Sequence, residues 1–203
     1  ALQDGISVNL SGGTHHAFPD RGEGFCVFND VAVAARVLQR EGLAKRIGIL
    51  DLDVHQGNGT AFIFQNDPDV FTISVHGGNN YPFRKVPSDM DLDLPDGAGD
   101  EVYLKATRTG VARVLQHGGL DLVFYLAGSD PHEGDRLGKL AVTKEGLKER
   151  DRIVLEACRN AQVPLAIVMS GGYGTDINDT VGIHLATVLL AMALSTGWPR
   201  PTR

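Results

Sequence analysis

The sequence predicts an α/β fold built on a mostly parallel sheet. Short apolar runs that suit buried strands alternate with stretches of helical periodicity, an order typical of strand–helix–strand units with right-handed crossovers. The chain has 203 residues, of which 42% are hydrophobic and 22% charged. That length and composition suit one globular domain with a sizeable core. We therefore expect residues 1–203 to form a single domain.

Each element follows from its local pattern. Apolar runs predict strands at Ile6–Leu10, Ile47–Asp53, Val70–Val75, Leu122–Leu126 and Leu165–Met169. Helical patterns predict helices at Asp30–Arg40, Ala61–Phe64, Val102–Gln116, Lys144–Ala161 and Asp179–Ser195. The stretch from His76 to Asp100 is rich in Asn, Pro, Asp and Gly. It predicts a long loop, and loops of that length in a compact domain are usually functional or mobile.

Composition excludes several classes of protein. The net charge is −6 and there is no run of Lys and Arg, which argues against nucleic-acid binding. Cys26 and Cys158 lie far apart and outside any CxxC motif, so a disulfide scaffold is not expected and a reducing cytoplasm fits. We expect no signal peptide and no membrane span. Because Ala1 is not a start methionine and a strand follows almost at once, we expect a fragment that lacks N-terminal elements.

The most informative stretch follows the second predicted strand. Side chains at alternate strand positions share a face, so Asp51, Asp53 and His55 should project together. Four other polar or glycine-rich motifs also follow predicted strands. The carboxyl ends of parallel strands meet at one crevice, which places all five motifs at one site.

Asp53, His55 and Asp130 predict a metal site. One nitrogen and two carboxylate ligands with an open position are the catalytic pattern for Zn²⁺, and Fe²⁺ or Co²⁺ would accept the same ligands. Such a metal can polarise a carbonyl and lower the pKa of its water. Taken alone, Asp130 would more simply cap the turn before Pro131, but the two neighbouring ligand candidates favour metal binding.

His15, His16 and Tyr173 are the other candidate catalytic residues. Tandem histidines after a Gly-Gly turn can supply a general base and an electrostatic or acid partner, with Asp51 and Asn58 available as their orienting acceptors. Tyr173, within a Gly-Gly-Tyr-Gly turn, can donate to a developing oxyanion. The simpler alternatives are a solvent-exposed histidine loop and an ordinary turn tyrosine.

Taken together, the motifs resemble those of the histone deacetylase family, which includes acetylpolyamine amidohydrolases and acetoin-utilisation proteins. The matching stretches run in family order and span most of the chain: Gly-Gly-Thr-His-His-Ala (12–17), Gly-Phe-Cys-Val-Phe-Asn-Asp (24–30), Asp-Leu-Asp-Val-His-Gln-Gly-Asn-Gly-Thr (51–60), Ser-Val-His (74–76), Ala-Gly-Ser-Asp-Pro-His-Glu-Gly-Asp-Arg-Leu-Gly (127–138) and Ser-Gly-Gly-Tyr-Gly (170–174).

The resemblance implies the arginase/deacetylase fold, three α/β/α layers around a central sheet, and zinc-dependent hydrolysis of an N-acyl amide. It also implies residue roles. Zinc would bind Asp53, His55 and Asp130, while His15, His16 and Tyr173 would be catalytic, with Asp51 and Asn58 orienting the histidines. The acyl group and its linker would contact Gly24, Phe25, Tyr81, Leu137 and Gly172.

The resemblance further implies structural K⁺ or Na⁺. The family's monovalent-cation site near the zinc would use Asp51, Asp53, His55, Ser74 and the carbonyl of Val75, and a more peripheral site would use carbonyls between Phe64 and Val70. One departure concerns Asn58, which stands where some members carry Asp. A neutral amide should let His16 hold its proton less tightly, which suits a neutral base.

Two alternatives stay open at this point. A binuclear arginase-like ureohydrolase would need bridging carboxylates, but Gly57 and His132 occupy the relevant positions. A noncatalytic acyl-binding or interaction protein would be expected to lack a ligand or the tyrosine. For a deacetylase, the substrate would be an acetylated lysine, an acetylated polyamine or another N-acyl amine, and the sequence is compatible with a homo-oligomer.

Overall fold

The structure, a computed structural model, describes residues 1–198. Its strands are β1 (Ile6–Asn9), β2 (Ile47–Asp51), β3 (Val70–Gly77), β4 (Met90–Leu94), β5 (Leu122–Leu126) and β6 (Leu165–Val168). Its helices are α1 (Asp30–Arg40), α2 (Asn58–Phe64), α3 (Asp100–Gln116), α4 (Lys144–Asn160) and α5 (Ile177–Ser195). The five predicted strands and five predicted helices are all present within the described residues.

The six strands form one sheet in the order β1-β6-β5-β2-β3-β4, and every pair of neighbours is parallel. β2, β3 and β5 occupy the centre, and each of their residues is buried. A strand buried on both faces reads as a continuous apolar run, which is why these central strands were predictable.

Alternate residues of the central strands pack into two separate hydrophobic cores, one on each face of the sheet. Leu122, Phe124 and Leu126 pack on the face covered by α1 and α2. Val123 and Tyr125 point to the opposite face, where α3, α4 and α5 lie. The result is the three-layer α/β/α arrangement that the family resemblance implied.

The expected loop from His76 to Asp100 contains a strand that the sequence analysis missed. Residues of β4 pair with β3 from Ile73↔Met90 to Gly77↔Leu94. β4 is half exposed because it lies at the sheet edge, and its Asp91 accepts a hydrogen bond from Gln56 at 2.8 Å. The alternation of Met90, Leu92 and Leu94 with aspartates is the period expected of such an edge strand.

Several predicted boundaries shift by two or three residues. α2 begins at Asn58 rather than Ala61, and α5 begins at Ile177 with Asp176 as its N-cap. β2 ends at Asp51. The chain beyond β2 still stays close to its neighbours, with Leu52 donating to the carbonyl of Leu126 at 3.2 Å.

Helix α5 is apolar on its outer face. Val181, Leu185 and Leu189 are exposed there, while Ile183, Thr187 and Ala191 are buried. By length and composition alone α5 is long and apolar enough to cross a membrane, which was not expected from the sequence, and 17% of that apolar stretch is buried. One side of α5 packs against α4 and β1.

Candidate active site

The predicted functional residues meet at the carboxyl ends of three neighbouring strands. Asp51 is the last residue of β2, and Asp53 and His55 follow it. Asp130 lies in the turn after β5, the strand that pairs with β2. Residues 170–173 follow β6, the strand that pairs with β5. The parallel sheet therefore brings these separate motifs to one edge.

Three ligand atoms converge at this edge, from the residues that we call the triad: Asp53, His55 and Asp130. The Nδ1 atom of His55 lies 3.0 Å from Oδ1 of Asp53 and 3.1 Å from Oδ2 of Asp130. All three donor atoms lie within 4.8 Å of one another. Both aspartates are buried, so their carboxylates are held in place by the surrounding protein.

The backbone and one hydroxyl orient the two carboxylates. The Oδ2 atom of Asp53 accepts hydrogen bonds from the Ser170 hydroxyl and the Gly171 amide, both at 2.7 Å. The Oδ1 atom of Asp130 accepts one from the Val54 amide at 2.9 Å. Such support fixes the direction of the remaining oxygens before any ion binds.

The charges of the triad fit a divalent cation. With the protein groups alone, burial and the nearby Asp53 charge raise the pKa of Asp130 to about 7. Burial opposes protonation of His55, but Asp130 and Asp53 outweigh it and raise its pKa to about 10. Two buried carboxylates facing one imidazole nitrogen thus demand positive charge, and a metal ion would supply it with one nitrogen and two oxygen ligands.

His15 and His16, the histidine pair, have different partners. The Nδ1 atom of His15 lies 2.6 Å from Oδ2 of Asp51. Burial disfavours the charged ring of His15, but Asp51 and Asp53 outweigh it and raise its pKa to about 9. The Nδ1 atom of His16 lies 2.7 Å from Oδ1 of Asn58, the first residue of α2.

Burial and the charge on His15 lower the pKa of His16 to about 3. The two rings are only 4.1 Å apart between centroids. A charged His15 therefore lies beside a neutral His16, and the difference follows from a carboxylate partner in one case and an amide in the other. The neutral member has the protonation state that a general base requires.

A cavity of about 600 Å³ opens above the triad. Its floor includes the triad and the histidine pair, and its walls include Phe25, Tyr81, Phe83, Leu137 and Tyr173. The rings of Phe25 and Tyr173 lie 5.9 Å apart, and the ring of Tyr81 meets that of His16 edge-on at 4.9 Å. A deep polar floor under apolar walls suits a short polar group on an apolar linker.

Tight backbone geometry builds the cavity wall at Gly24 and Phe25. Gly24 has a φ of +54°, and a Cβ there would lie 2.4 Å from the His16 ring. Phe25 has a φ of 64° and is 85% exposed, so its ring projects into the opening. A positive φ in a bulky residue costs of order 1–3 kcal/mol, a cost that proteins retain mainly at functional sites.

The other predicted site residues are placed as follows. Leu137 lines the cavity, whereas Gly172 packs against Ser129 rather than among the lining residues. Ser74 lies opposite Asp51 in the pairing of β2 and β3, and its hydroxyl is 2.9 Å from Nδ1 of His76. Val75 is buried in β3. The sheet thus places Asp51 and Ser74, two of the residues predicted to bind a monovalent cation, at paired positions.

The sequence analysis missed some residues at the site. Ser170 supports Asp53 and belongs to a motif that was noticed only for its glycines and tyrosine. Phe83 lines the cavity two residues after Tyr81, a spacing that could have suggested it. Glu23 bonds both Asn58 and Tyr81, and no local pattern announces such a long-range contact.

Comparison with known proteins agrees with this geometry. The family described as "Histone deacetylase domain" matches residues 1–188. An uncharacterized protein of Picosynechococcus sp. is 54% identical over 184 residues, which cover 91% of this chain and 61% of that protein. Acetoin utilization protein AcuC of Bacillus subtilis is 33% identical over 198 residues, which cover 92% of this chain and 51% of that protein.

Solved structures match the fold as well. An acetylpolyamine aminohydrolase from Burkholderia pseudomallei aligns with a TM-score of 0.78 at 25% identity, over 94% of this chain and 57% of that one. The chain thus spans between about half and three fifths of the length of these relatives. The family match and the shared fold confirm the prediction made from the motifs: the chain belongs to the histone deacetylase family.

Proposed function

We propose that this protein hydrolyses an N-acyl amide, such as acetyl-lysine or an acetylated polyamine, to a free amine and a carboxylate, with zinc as its metal. The observation that carries the proposal is the convergence of the triad and the histidine pair on the floor of one apolar-walled cavity. A metal site, a neutral imidazole and a tyrosine around one space are the groups that amide hydrolysis requires.

Asp53, His55 and Asp130 would hold the metal. Zn²⁺ suits one nitrogen and two carboxylate ligands with an open position, although Fe²⁺ and Co²⁺ accept the same set. When bound, the ion would polarise the acyl carbonyl and make water more acidic. The hydrogen bonds from Ser170 and Gly171 hold Oδ2 of Asp53 and thereby fix the orientation of this carboxylate toward the metal position.

The histidine pair would move the proton. Because Nδ1 of His16 faces the amide oxygen of Asn58, it donates there, and Nε2 is left free to accept a proton from water. The water oxygen then adds to the carbonyl carbon, the C–N bond breaks, and the proton passes to the leaving nitrogen. His15, paired with Asp51, keeps its positive charge beside the developing anion.

Tyr173 would stabilise the oxyanion that forms on the acyl oxygen. Its backbone is fixed on both sides, because its amide donates to Asp135 at 2.6 Å and its carbonyl accepts from Arg136 at 3.1 Å. The side chain lines the cavity and is 40% exposed. Phe25 and Tyr81 would flank the apolar linker of the substrate.

A direct test measures hydrolysis of a fluorogenic acetyl-lysine peptide and of an N-acetylated polyamine by the purified chain. Each assay is run with and without Zn²⁺, beside a metal count. We expect zinc-dependent turnover and a single metal ion per chain. Two tightly bound Mn²⁺ ions per chain would instead support a binuclear arginase-like enzyme. Failure to bind zinc would contradict the proposal and favour a noncatalytic acyl-binding protein.

The monovalent-cation site is a separate part of the proposal. Asp51 and Ser74 lie at paired positions of β2 and β3, directly beside the triad. K⁺ or Na⁺ held there by Asp51, Asp53, His55, Ser74 and the carbonyl of Val75 would balance the buried negative charge. Turnover measured in K⁺, Na⁺ and a bulky organic cation at constant ionic strength tests this, and equal rates in all three would contradict it.

A further inference from the structure

We propose that Glu23 is a positioning residue that sets the proton position on His16 by fixing the orientation of the Asn58 amide. This inference rests on the proposed function, because it concerns the histidine to which we assign the base. Glu23 does not contact the histidine itself. It acts through one intermediate side chain, and the chain of contacts can be followed atom by atom.

The first contact joins Glu23 to Asn58. The Nδ2 atom of Asn58 donates to Oε1 of Glu23 at 3.1 Å, and Oδ1 of the same amide faces Nδ1 of His16 at 2.7 Å. A carboxylate only accepts hydrogen bonds, so it attracts the NH₂ side of an amide and repels the oxygen. Glu23 is ionised for this task, since the hydrogen bond from Tyr81 lowers the pKa of its carboxyl.

The second step runs from Asn58 to His16. An amide oxygen only accepts, so Nδ1 of His16 must carry the hydrogen. The neutral ring then has its lone pair at Nε2, and only this tautomer can take a proton at Nε2. If the Asn58 amide turned over, its NH₂ would face Nδ1, the hydrogen would move to Nε2, and the base would be blocked.

The same carboxylate oxygen also anchors a cavity wall. The Tyr81 hydroxyl donates to Oε1 of Glu23 at 2.6 Å, and the Tyr81 ring packs edge-on against His16 at 4.9 Å between centroids. Glu23 therefore acts on the His16 ring in two ways. Through Asn58 it sets which ring nitrogen carries the proton, and through Tyr81 it holds the aromatic ring that packs against His16. These bonds reach the first residue of α2 and a separate loop, so Glu23 links two parts of the site.

A surface ion pair is the simpler alternative role for Glu23. Its Oε2 atom accepts from Arg21 at 3.3 Å, and its side chain is 30% exposed. Asp20 offers a matched control, because it also bonds Arg21, at 3.1 Å, and is 75% exposed. Exposed pairs of this kind contribute little to stability, so loss of Arg21 contacts should matter equally little at both positions.

Glu23→Gln is the sharpest variant. It keeps the shape of the side chain but adds a donor, so the Asn58 amide is no longer forced into one orientation. We expect kcat to fall by roughly 10–100-fold with little change in KM, as when a histidine loses its orienting partner. Asp20→Asn, the same chemical change nearby, should leave kcat unaltered. Glu23→Asp keeps the carboxylate and should recover part of the loss.

The proton position has a readout that needs no activity. Long-range nitrogen–proton NMR of the isotope-labelled chain near neutral pH distinguishes a ring protonated at Nδ1 from one protonated at Nε2. We expect His16 of the wild type and of Asp20→Asn to be protonated at Nδ1, and Glu23→Gln to show a substantial Nε2–H population. Tyr81→Phe removes the hydroxyl that ties the cavity wall to Glu23 but leaves the carboxylate, which is ionised near neutral pH without that bond, so the Nδ1–H form should persist and KM should rise.

The outcomes separate this inference from the proposed function. A wild type that hydrolyses no acyl amide would contradict the function, while the NMR result would still decide the role of Glu23. An unchanged Nδ1–H form in Glu23→Gln overturns the inference whatever happens to kcat. A shift of the proton to Nε2 in Glu23→Gln but not in Asp20→Asn supports it.

Discussion

Two buried polar clusters lie near the carboxyl end of β5, and their buried charges are balanced in different ways. The triad groups Asp53, His55 and Asp130 beside the cavity. The arginine cluster, which we define as Arg150, Asp151, Tyr125 and Thr187, is completely enclosed by α4, α5 and β5. Both bury carboxylates in a low-dielectric interior, where unpaired charge is costly.

In the arginine cluster the contacts close on one another. The Arg150 guanidinium donates to Asp151 at 2.9 Å and to the carbonyls of Gly128 and Ala127. Asp151 receives the Tyr125 hydroxyl on one oxygen and the Thr187 hydroxyl on the other, at 2.5 and 2.6 Å. Charge and hydrogen bonds are both satisfied by protein groups, which is what a structural ion pair requires.

The triad lacks this closure. Its carboxylates converge on a single imidazole nitrogen, and burial with the Asp53 charge raises the pKa of Asp130 to about 7. Burial of charge alone therefore does not mark a functional site. The mark is buried charge that its protein neighbours leave unbalanced and that faces a space large enough for a ligand.

The largest expected effect comes from removing one charge of the triad. Asp130→Asn keeps the shape and can still accept from Val54, but it gives the metal a neutral ligand. We expect the bound metal to fall to background and hydrolysis with it, a loss beyond the roughly 10–100-fold typical when a ligand loses a hydrogen-bond partner. Metal analysis after gel filtration and zinc-dependent turnover measure this.

Asp96→Asn is the matched control, because Asp96 is exposed in a loop. It should retain the metal content of the wild type. The metal-free form of Asp130→Asn should be at least as stable as the metal-free wild type, since the change relieves repulsion from Asp53. A clear loss of stability in that comparison would contradict our distinction between the two clusters.

The arginine cluster should respond in the opposite way. Arg150→Met fills the space but leaves the Asp151 carboxylate without its cation, and removing one partner of a buried pair costs about 3–5 kcal/mol of unfolding free energy. Urea denaturation of the metal-free protein measures the change. The double variant Arg150→Met/Asp151→Asn removes both charges and should be less destabilised than the single variant. If the two variants were equally unstable, the buried charge would not be the cause.

Tyr173→Phe tests the chemistry above the triad without touching the metal ligands. Loss of one oxyanion donor lowers kcat by roughly 10²–10³-fold, or about 2.7–4 kcal/mol in the barrier. Zinc content and unfolding free energy should match those of the wild type. The hydrogen bonds that fix Tyr173 are made by its backbone amide and carbonyl, which the substitution leaves in place. Unchanged turnover in this variant would remove Tyr173 from the mechanism.

The sequence predicted that the motifs converge because the carboxyl ends of all strands in a parallel sheet lie at the same side, whatever the order of the strands. Asp51, Asp53 and His55 were expected on one face from periodicity, and Asp130 was expected at the same crevice because it follows a predicted strand. The order of the strands in the sheet, β1-β6-β5-β2-β3-β4, was not predicted. β4 was missed although Met90, Leu92 and Leu94 alternate as an edge strand should. Its five residues carry two aspartates within a Pro-, Asn- and Gly-rich stretch, which outweighed that weak signal.

Contacts between residues far apart in the sequence could not be predicted. Glu23 reaches Asn58 across 35 residues and Tyr81 across 58. Arg150 reaches the carbonyl of Gly128 across 22 residues. Each contact depends on how a finished loop or helix packs, not on a repeating pattern. Gly172 was predicted to contact the substrate, whereas the structure packs it against Ser129 and not along the cavity.

The smallest expected effect is a loss of stability on removing one threonine hydroxyl. It distinguishes a hydrogen bond to a buried carboxylate from a hydrogen bond to a helix carbonyl. Thr187→Val keeps the shape but removes the donor to Asp151 Oδ2, and a hydrogen bond to a charged group contributes roughly 1.5–3 kcal/mol. Thr109→Val is a close control, because its hydroxyl bonds only the carbonyl four residues earlier, at 3.0 Å, as that of Thr187 also does at 3.2 Å.

Urea denaturation of both variants should therefore show a clear loss of stability for Thr187→Val and little change for Thr109→Val. Zinc binding should be retained in both, because neither hydroxyl contacts the triad. Equal destabilisation of the two variants would mean that the hydrogen bond from Thr187 to Oδ2 of Asp151 adds nothing to the stability of the protein. The arginine cluster would then be less completely satisfied than its distances indicate, and closure of hydrogen bonds would no longer distinguish it from the triad.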